Sequence, residues 1–386
     1  MNRNPLLDLE SFGQSIWMDF ISRDTISSGQ LQKWIEEDGI SGVTSNPSIF
    51  EKAIAESDDY DESIRDLILK GMSSEEIFRS IAVEDIQNVA DLLLPTYHRT
   101  DGRDGFVSLE VSPKLAYDTS ATIKEARELW ALVNRPNAMI KVPATSEGIP
   151  AIRELTSEGI NVNITLLFGL PRYREVADAY ISGLELRVAK DKPIKEVASV
   201  ASFFLSRIDS LIDPVLEEKM KSEDPRAGTA ARLHGQIAIA SAKVAYEIYK
   251  ELFSRERFIR LADKGARTQK LLWASTSTKN PFYKDTKYVE ALIGPDTINT
   301  VPVETLNAYR DHGHPEQTLD QEVHRAYHLL NKLSIVGIDL NAITQQLEKE
   351  GVKKFIMAYD QLMDSLREKE TAFLPEQPRP LEARHE

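Results

Sequence analysis

Eight short apolar segments recur along the chain, and helix-forming sequence fills the intervals between them. This alternation limits the fold more than any other feature. The segments are 15–20, 42–46, 106–111, 139–145, 161–168, 197–204, 270–276 and 297–302. Each has five to eight residues, rich in branched and aromatic side chains, and several end at a proline such as Pro47 or Pro113. Such segments predict buried strands. Helical spacing fills 31–37, 49–99, 119–133, the stretch opening at 146–150, and then 172–190, 208–219, 229–253, 285–292 and 303–310. Ser73 to Glu76 supplies a helix start with early acidic residues. Strands that alternate with helices form a parallel sheet, and eight of them close into an α/β fold, a (β/α)8 TIM barrel with additional helices. The expectation is a single domain over 1–386. Its barrel spans about 14–313, a C-terminal helical extension about 316–373, and a loose, Pro-rich tail 374–386.

Side chains alternate across a strand, so each strand has a helix-facing side and an inward side. In the third segment Val107, Leu109 and Val111 oppose Ser108 and Glu110. In the fifth, Val162, Ile164 and Leu166 oppose Asn161, Asn163 and Thr165. The same reasoning sends Asp19, Asn46, Lys141, Ser202 and Ser275 inward, most of them late in their strands. Barrel enzymes carry their chemistry at that end. One inward polar residue is as well explained by a hydrogen-bonded core position. A ring of them is not, because burying so many polar groups without a ligand costs too much.

The ring holds one lysine, two carboxylates, amides and hydroxyls, and no histidine. That set is poor for a metal centre. Lys141 stands out. In the run Met139-Ile140-Lys141-Val142-Pro143 its ammonium must either reach water or shed its proton and become a nucleophilic amine. Alone, the run reads more simply as a lysine snorkelling from a strand end. Beside carboxylates it suits Schiff-base chemistry on a carbonyl, with hydrophobic walls from Met139 and Phe204 expected to favour the neutral amine.

Composition removes other classes. The net charge of -14 disfavours nucleic acid and anionic lipid as partners. The chain has no cysteine, which excludes disulfides, thiol catalysis and thiolate zinc sites and fits a cytoplasmic location. No secretory signal and no run approaching the ~20 apolar residues of a membrane span is visible. His312-Gly313-His314 has the letters of a metal motif, but its glycine and Pro315 favour a helix-ending turn. Asn163-Ile164-Thr165 matches a glycosylation sequon inside a predicted strand and is discounted.

Four motifs resemble the transaldolase family of lysine-dependent aldol enzymes, in its longer bacterial-type subgroup. They are Gly42-Val43-Thr44-Ser45-Asn46-Pro47-Ser48, then Ile140-Lys141-Val142-Pro143-Ala144-Thr145 followed by Glu147-Gly148, then Asn161 through Phe168, and Ser202 through Asp209. The likeness runs in order from about Ile16 to Gly313. It implies that Lys141 forms the Schiff base, that Asp19 moves the proton of the C4 hydroxyl, and that Glu110 with Thr165 holds a proton-shuttling water. It further implies that Asn46, Asn163 and Ser202 bind the dihydroxyacetone unit, that Phe204 shapes the pocket, and that Arg207 and Ser275 bind phosphate. Family members often place an arginine in the loop after the seventh strand. Here Lys279 is the nearest cation. The implied reaction moves dihydroxyacetone from sedoheptulose 7-phosphate to glyceraldehyde 3-phosphate, giving erythrose 4-phosphate and fructose 6-phosphate. It needs no metal or organic cofactor, and the implied assembly is a monomer or homodimer. The competing readings are a fructose-6-phosphate aldolase that releases free dihydroxyacetone, a non-catalytic sugar-phosphate binder, and a metal-dependent barrel enzyme.

Overall fold

All eight apolar segments form strands: β1 (Gln14–Met18), β2 (Ile40–Thr44), β3 (Phe106–Glu110), β4 (Ala138–Pro143), β5 (Val162–Leu167), β6 (Ser199–Phe204), β7 (Lys270–Ala274) and β8 (Thr297–Val301). They are parallel, pair in chain order and close with β8 on β1, as the (β/α)8 expectation required. The computed structural model describes residues 4–221 and 225–373, so the expected loose tail 374–386 lies outside the described residues.

Several boundaries differ from the sequence reading, each for a local reason. β2 ends at Thr44 because Asn46 already caps the next helix, its Oδ1 accepting from Ile49 N at 3.1 Å. The region 49–99 is three helices, Pro47–Ala55, Asp61–Leu69 and Ser74–Arg99. The last opens with the capping box of Ser73 and Glu76. Likewise 229–253 divides into Ala227–Leu233 and Ile237–Phe253. Short elements at Pro5–Phe12, Arg23–Ser27 and Glu256–Ala262 were too brief to show a period.

The extension is also more broken than one helical run. Val323–Lys332 and a 3-10 turn at Leu333–Val336 end at Gly337, whose φ of 73° is the left-handed conformation a glycine tolerates. The terminal helix Leu340–Phe373 follows. It packs on the Pro47–Ala55, Asp61–Leu69 and Ser206–Lys221 helices, at the rim where the C-terminal strand ends open. Lys243 Nζ donates to the Thr318 and Gln321 carbonyls at 2.6 and 2.8 Å, fastening the connecting loop to Ile237–Phe253.

The barrel interior is layered. Near the N-terminal ends of the strands, Trp17, Phe106, Met139 and Ile298 share a floor. Trp17 is fully buried, with its indole N–H on Asp104 at 2.8 Å. So large a side chain needs a small neighbour, and Gly42 stands abreast of it on β2. A Cβ at Gly42 would lie 2.3 Å from the indole ring. Gly42→Ala is therefore expected to destabilise the fold by about 3 kcal/mol through overpacking. A denaturant midpoint equal to that of the parent would refute this reason for the glycine.

Candidate active site

Above the floor, the C-terminal strand ends surround a cavity of about 400 Å³. That volume suits a small metabolite. The ladder of β3, β4 and β5 sets Glu110, Lys141 and Asn163 abreast. Adjacent strands lie about 4.8 Å apart, so inward side chains at one level touch. Lys141 Nζ stands 3.1 Å from Glu110 Oε2 and donates to the Ser45 carbonyl at 2.8 Å. Both side chains are 5% exposed. Hydrophobic walls are thus not the lysine's whole surroundings, because a carboxylate meets it directly. An ion so deeply enclosed costs several kcal/mol unless paired, and Glu110 and Ser45 supply the pairing. Burial pushes the Glu110 carboxyl above its ordinary range, Lys141 pulls it back, and the charge of Asp19 adds a smaller upward push. Met139 lies a layer below on the floor, while Phe204 lines the cavity.

Asp19 sits one residue past β1, yet its N–H donates to Val301 at 2.8 Å and so prolongs the ladder. Its Oδ1 accepts from Thr44 Oγ1 at 2.8 Å, and Thr44 meets Thr300 Oγ1 at 3.0 Å. Burial raises the Asp19 carboxyl's affinity for its proton. Lys141, the Thr44 hydrogen bond and Arg207 oppose that rise, and Glu304 adds to it. Neither Thr44 nor Thr300 was among the expected site residues. Their signal was available, since both are hydroxyls on the inward faces of β2 and β8.

Thr165 lines the same cavity, and its buried Oγ1 has no hydrogen-bond partner among the described residues. Such a group is suited to a ligand hydroxyl or a water. Asn46 also lines the cavity. Its oxygen caps the Pro47–Ala55 helix, which leaves the amide donors for a ligand. Asn163 is placed differently from the rest. It is fully buried, donates to Ser108 Oγ at 2.9 Å and accepts from Ser202 Oγ at 2.7 Å. It meets the cavity through Ser202, which does line it.

Toward the mouth lie Phe204, Arg207, Ser275 and Lys279, joined by Lys52, Glu304 and Phe355, which the sequence did not single out. Ser275 reaches the cavity, but alternation is not the reason. Trp273, on the face it would share, points to the outer helices, with its N–H on the Leu292 carbonyl at 3.1 Å. β7 stops at Ala274, and Ser275 turns inward through a left-handed φ of 56°, meeting Ser206 Oγ at 2.9 Å. Arg207 does not pair with Asp209. That carboxylate accepts instead from Ala238 N, Tyr288 Oη and Lys287 Nζ. Lys279 is exposed at the rim, donating to Ser277 Oγ at 2.7 Å.

Other sequence features resolve simply. His312 ends the Val303–His312 helix and pairs with Asp285 and Asp311. Among the described residues there is no group of three histidine, aspartate or glutamate side chains placed to hold a metal ion. No helix among them is long and apolar enough to cross a membrane.

Known proteins with the same pattern cover almost the whole chain. The family model for transaldolase/fructose-6-phosphate aldolase matches residues 16–366. Transaldolase 2 of Nostoc punctiforme is 47% identical over 374 residues, 96% of this chain and 98% of its own length. The transaldolase of Trichodesmium erythraeum is 45% identical over 379 residues, 97% of this chain and 100% of its own length. That of Thermobifida fusca is 46% identical over 366 residues, 94% and 97% of the two chains.

Proposed function

The chain belongs to the transaldolase/fructose-6-phosphate aldolase family and is an enzyme of the transaldolase type, and from that premise we propose its substrates and the role of each residue in the cavity. The donor is sedoheptulose 7-phosphate or fructose 6-phosphate, and the acceptor is glyceraldehyde 3-phosphate or erythrose 4-phosphate. The observation that carries the reading is the enclosed Lys141, with Glu110 at 3.1 Å and Asp19 lining the same cavity.

The Lys141 amine attacks C2 of the ketose. For that it must be free of its proton, and Glu110, whose carboxyl burial already favours holding one, is the acceptor beside it. The carbinolamine loses water with Glu110 and a group held by Thr165 Oγ1 moving the protons. The resulting iminium draws electrons from the C3–C4 bond. Asp19 takes the proton of the C4 hydroxyl, C3–C4 breaks, and the shortened aldose leaves. The three-carbon enamine stays on Lys141. An acceptor aldehyde then adds at C3, Asp19 returns the proton to the new hydroxyl, and hydrolysis frees the amine. Ser202, steadied by Asn163, and Asn46 bind the hydroxyls of the three-carbon unit. Arg207, Ser275 and Lys279 at the mouth receive the phosphate. No step calls for a metal ion or organic cofactor.

The test is a coupled assay with fructose 6-phosphate and erythrose 4-phosphate. Transfer to the acceptor is expected, with little free dihydroxyacetone when the acceptor is omitted. Steady release of dihydroxyacetone would move the chain to the aldolase branch of the family. Sugar-phosphate binding without transfer or release would reduce it to a binder.

A further inference from the structure

Arg207 occupies an unusual position for an arginine. Its Nη1 is buried without a hydrogen-bond partner, and no salt bridge reaches its guanidinium among the described residues. Two aromatic rings flank it, Phe204 with its centroid at 5.3 Å and Phe355 at 5.9 Å. Phe204 comes from β6, whereas Phe355 comes from the terminal helix and is 4% exposed. That helix comes close enough because it presents Gly351. A Cβ there would lie 2.9 Å from Leu166 Cδ2 and 3.6 Å from Arg207 Nη1. Leu166 itself juts out of β5 at an irregularity of the ladder, with a left-handed φ of 57°.

We infer that Phe355 is a positioning and specificity residue: with Phe204 it holds the Arg207 guanidinium in an aromatic slot at the cavity wall, so that the C-terminal extension makes the enzyme selective for phosphorylated sugars. The inference rests on the reading of Arg207 as the phosphate ligand. The physical reason is desolvation. A hydrated guanidinium trades water for phosphate at little net gain. One that is half-buried, with Nη1 shut off from solvent, and attracted by two ring faces, still lacks hydrogen-bond acceptors, and a phosphate provides them in the forked geometry arginine favours. The barrel alone supplies one of the two rings, so the slot is complete only with the terminal helix in place.

The experiment compares kcat/KM for D-fructose 6-phosphate and for D-fructose as donors, with one acceptor, in the full-length enzyme. In Phe355→Ala the ratio of the two is expected to fall about tenfold, the scale of one desolvated cation–π contact, mainly through KM for the phosphorylated donor. That KM should also rise more steeply with added salt, because water and ions now reach the guanidinium. Phe355→Trp, which keeps a ring face, should retain the ratio. An equal loss on both donors would mean that Phe355 only supports the fold, and the inference fails. Arg207→Gln separates the two levels. If it collapses the ratio while Phe355→Ala does not, the inference falls and the phosphate reading stands. If Arg207→Gln leaves the ratio intact, both fall. Should Phe355→Ala fail to fold, Phe355→Leu, which keeps apolar bulk and removes the ring face, must lower the same ratio.

Discussion

Lys141→Ala is expected to lose transfer activity by about 10⁵-fold, ~7 kcal/mol of barrier, because among the described residues no other amine lies at the cavity's base. Borohydride added with fructose 6-phosphate should irreversibly label the parent enzyme at this residue and leave the variant unlabelled. The fold should survive. Removing the lysine deprives Glu110 of its cation, but burial already favours the protonated carboxyl, so the site can neutralise itself. The remaining cost is the lost contact to Glu110 and the Ser45 carbonyl, up to about 3 kcal/mol. Substrate trapping that persists in Lys141→Ala would remove Lys141 as the nucleophile. Lys52 and Lys279, at the mouth, would then be the amines to examine.

Asp19→Asn should separate the two halves of the reaction. In the proposed mechanism Schiff-base formation relies on Lys141, Glu110 and Thr165, so borohydride trapping should continue. Cleavage of C3–C4 needs a base for the C4 hydroxyl, so turnover should fall about 10²–10⁴-fold. The pH dependence has a definite sign. Only the carboxylate form of Asp19 can accept the proton, and burial holds its pKa above the ordinary 3.8. Donor cleavage should therefore decline on the acid side through a value above 3.8 as Asp19 becomes protonated. Thr44→Val removes a hydrogen bond that favours the carboxylate, so its acid limb should move to higher pH. A limb that moved down in Thr44→Val, or an Asp19→Asn enzyme that kept full turnover, would take Asp19 out of the proton-transfer role.

Much of the barrel was legible because its signals are local. A strand reads as a short apolar run between turn residues, and that pattern survives without knowledge of any partner. Lys141, Asp19, Glu110 and Thr165 were legible for the same reason, as polar groups on the inward face of otherwise apolar runs. Where the backbone is irregular, alternation no longer supplies the reason for a side chain's direction. Ser275 and Leu166 both have left-handed backbones, which reset the alternation, and neither carries a glycine to mark the spot. Ser275 reached its expected place by a route that counting could not supply. Asn163 occupies a layer set by Ser108 and Ser202 on neighbouring strands, which its own run does not record.

Lys141 in β4 was identifiable as a candidate nucleophile only in the company of the inward polar groups on the other strands, and the inward carboxylates as its candidate partners. Their contact was not. Whether Glu110 meets Lys141 depends on the β3–β4 register, and a slip of one residue would have turned the carboxylate outward. Thr44 reaches Asp19 because β2 pairs with β1, the ladder runs on from Asp19 to Val301 because the sheet closes, and Phe355 reaches Arg207 only because the terminal helix returns over the rim. The chain order thus determined the strands, the helices and the inventory of reactive groups, since these follow from nearest neighbours along the backbone. Closure, register and the docking of the last helix decided which groups touch. Those depend on the summed packing of residues far apart in the chain, which no local pattern records.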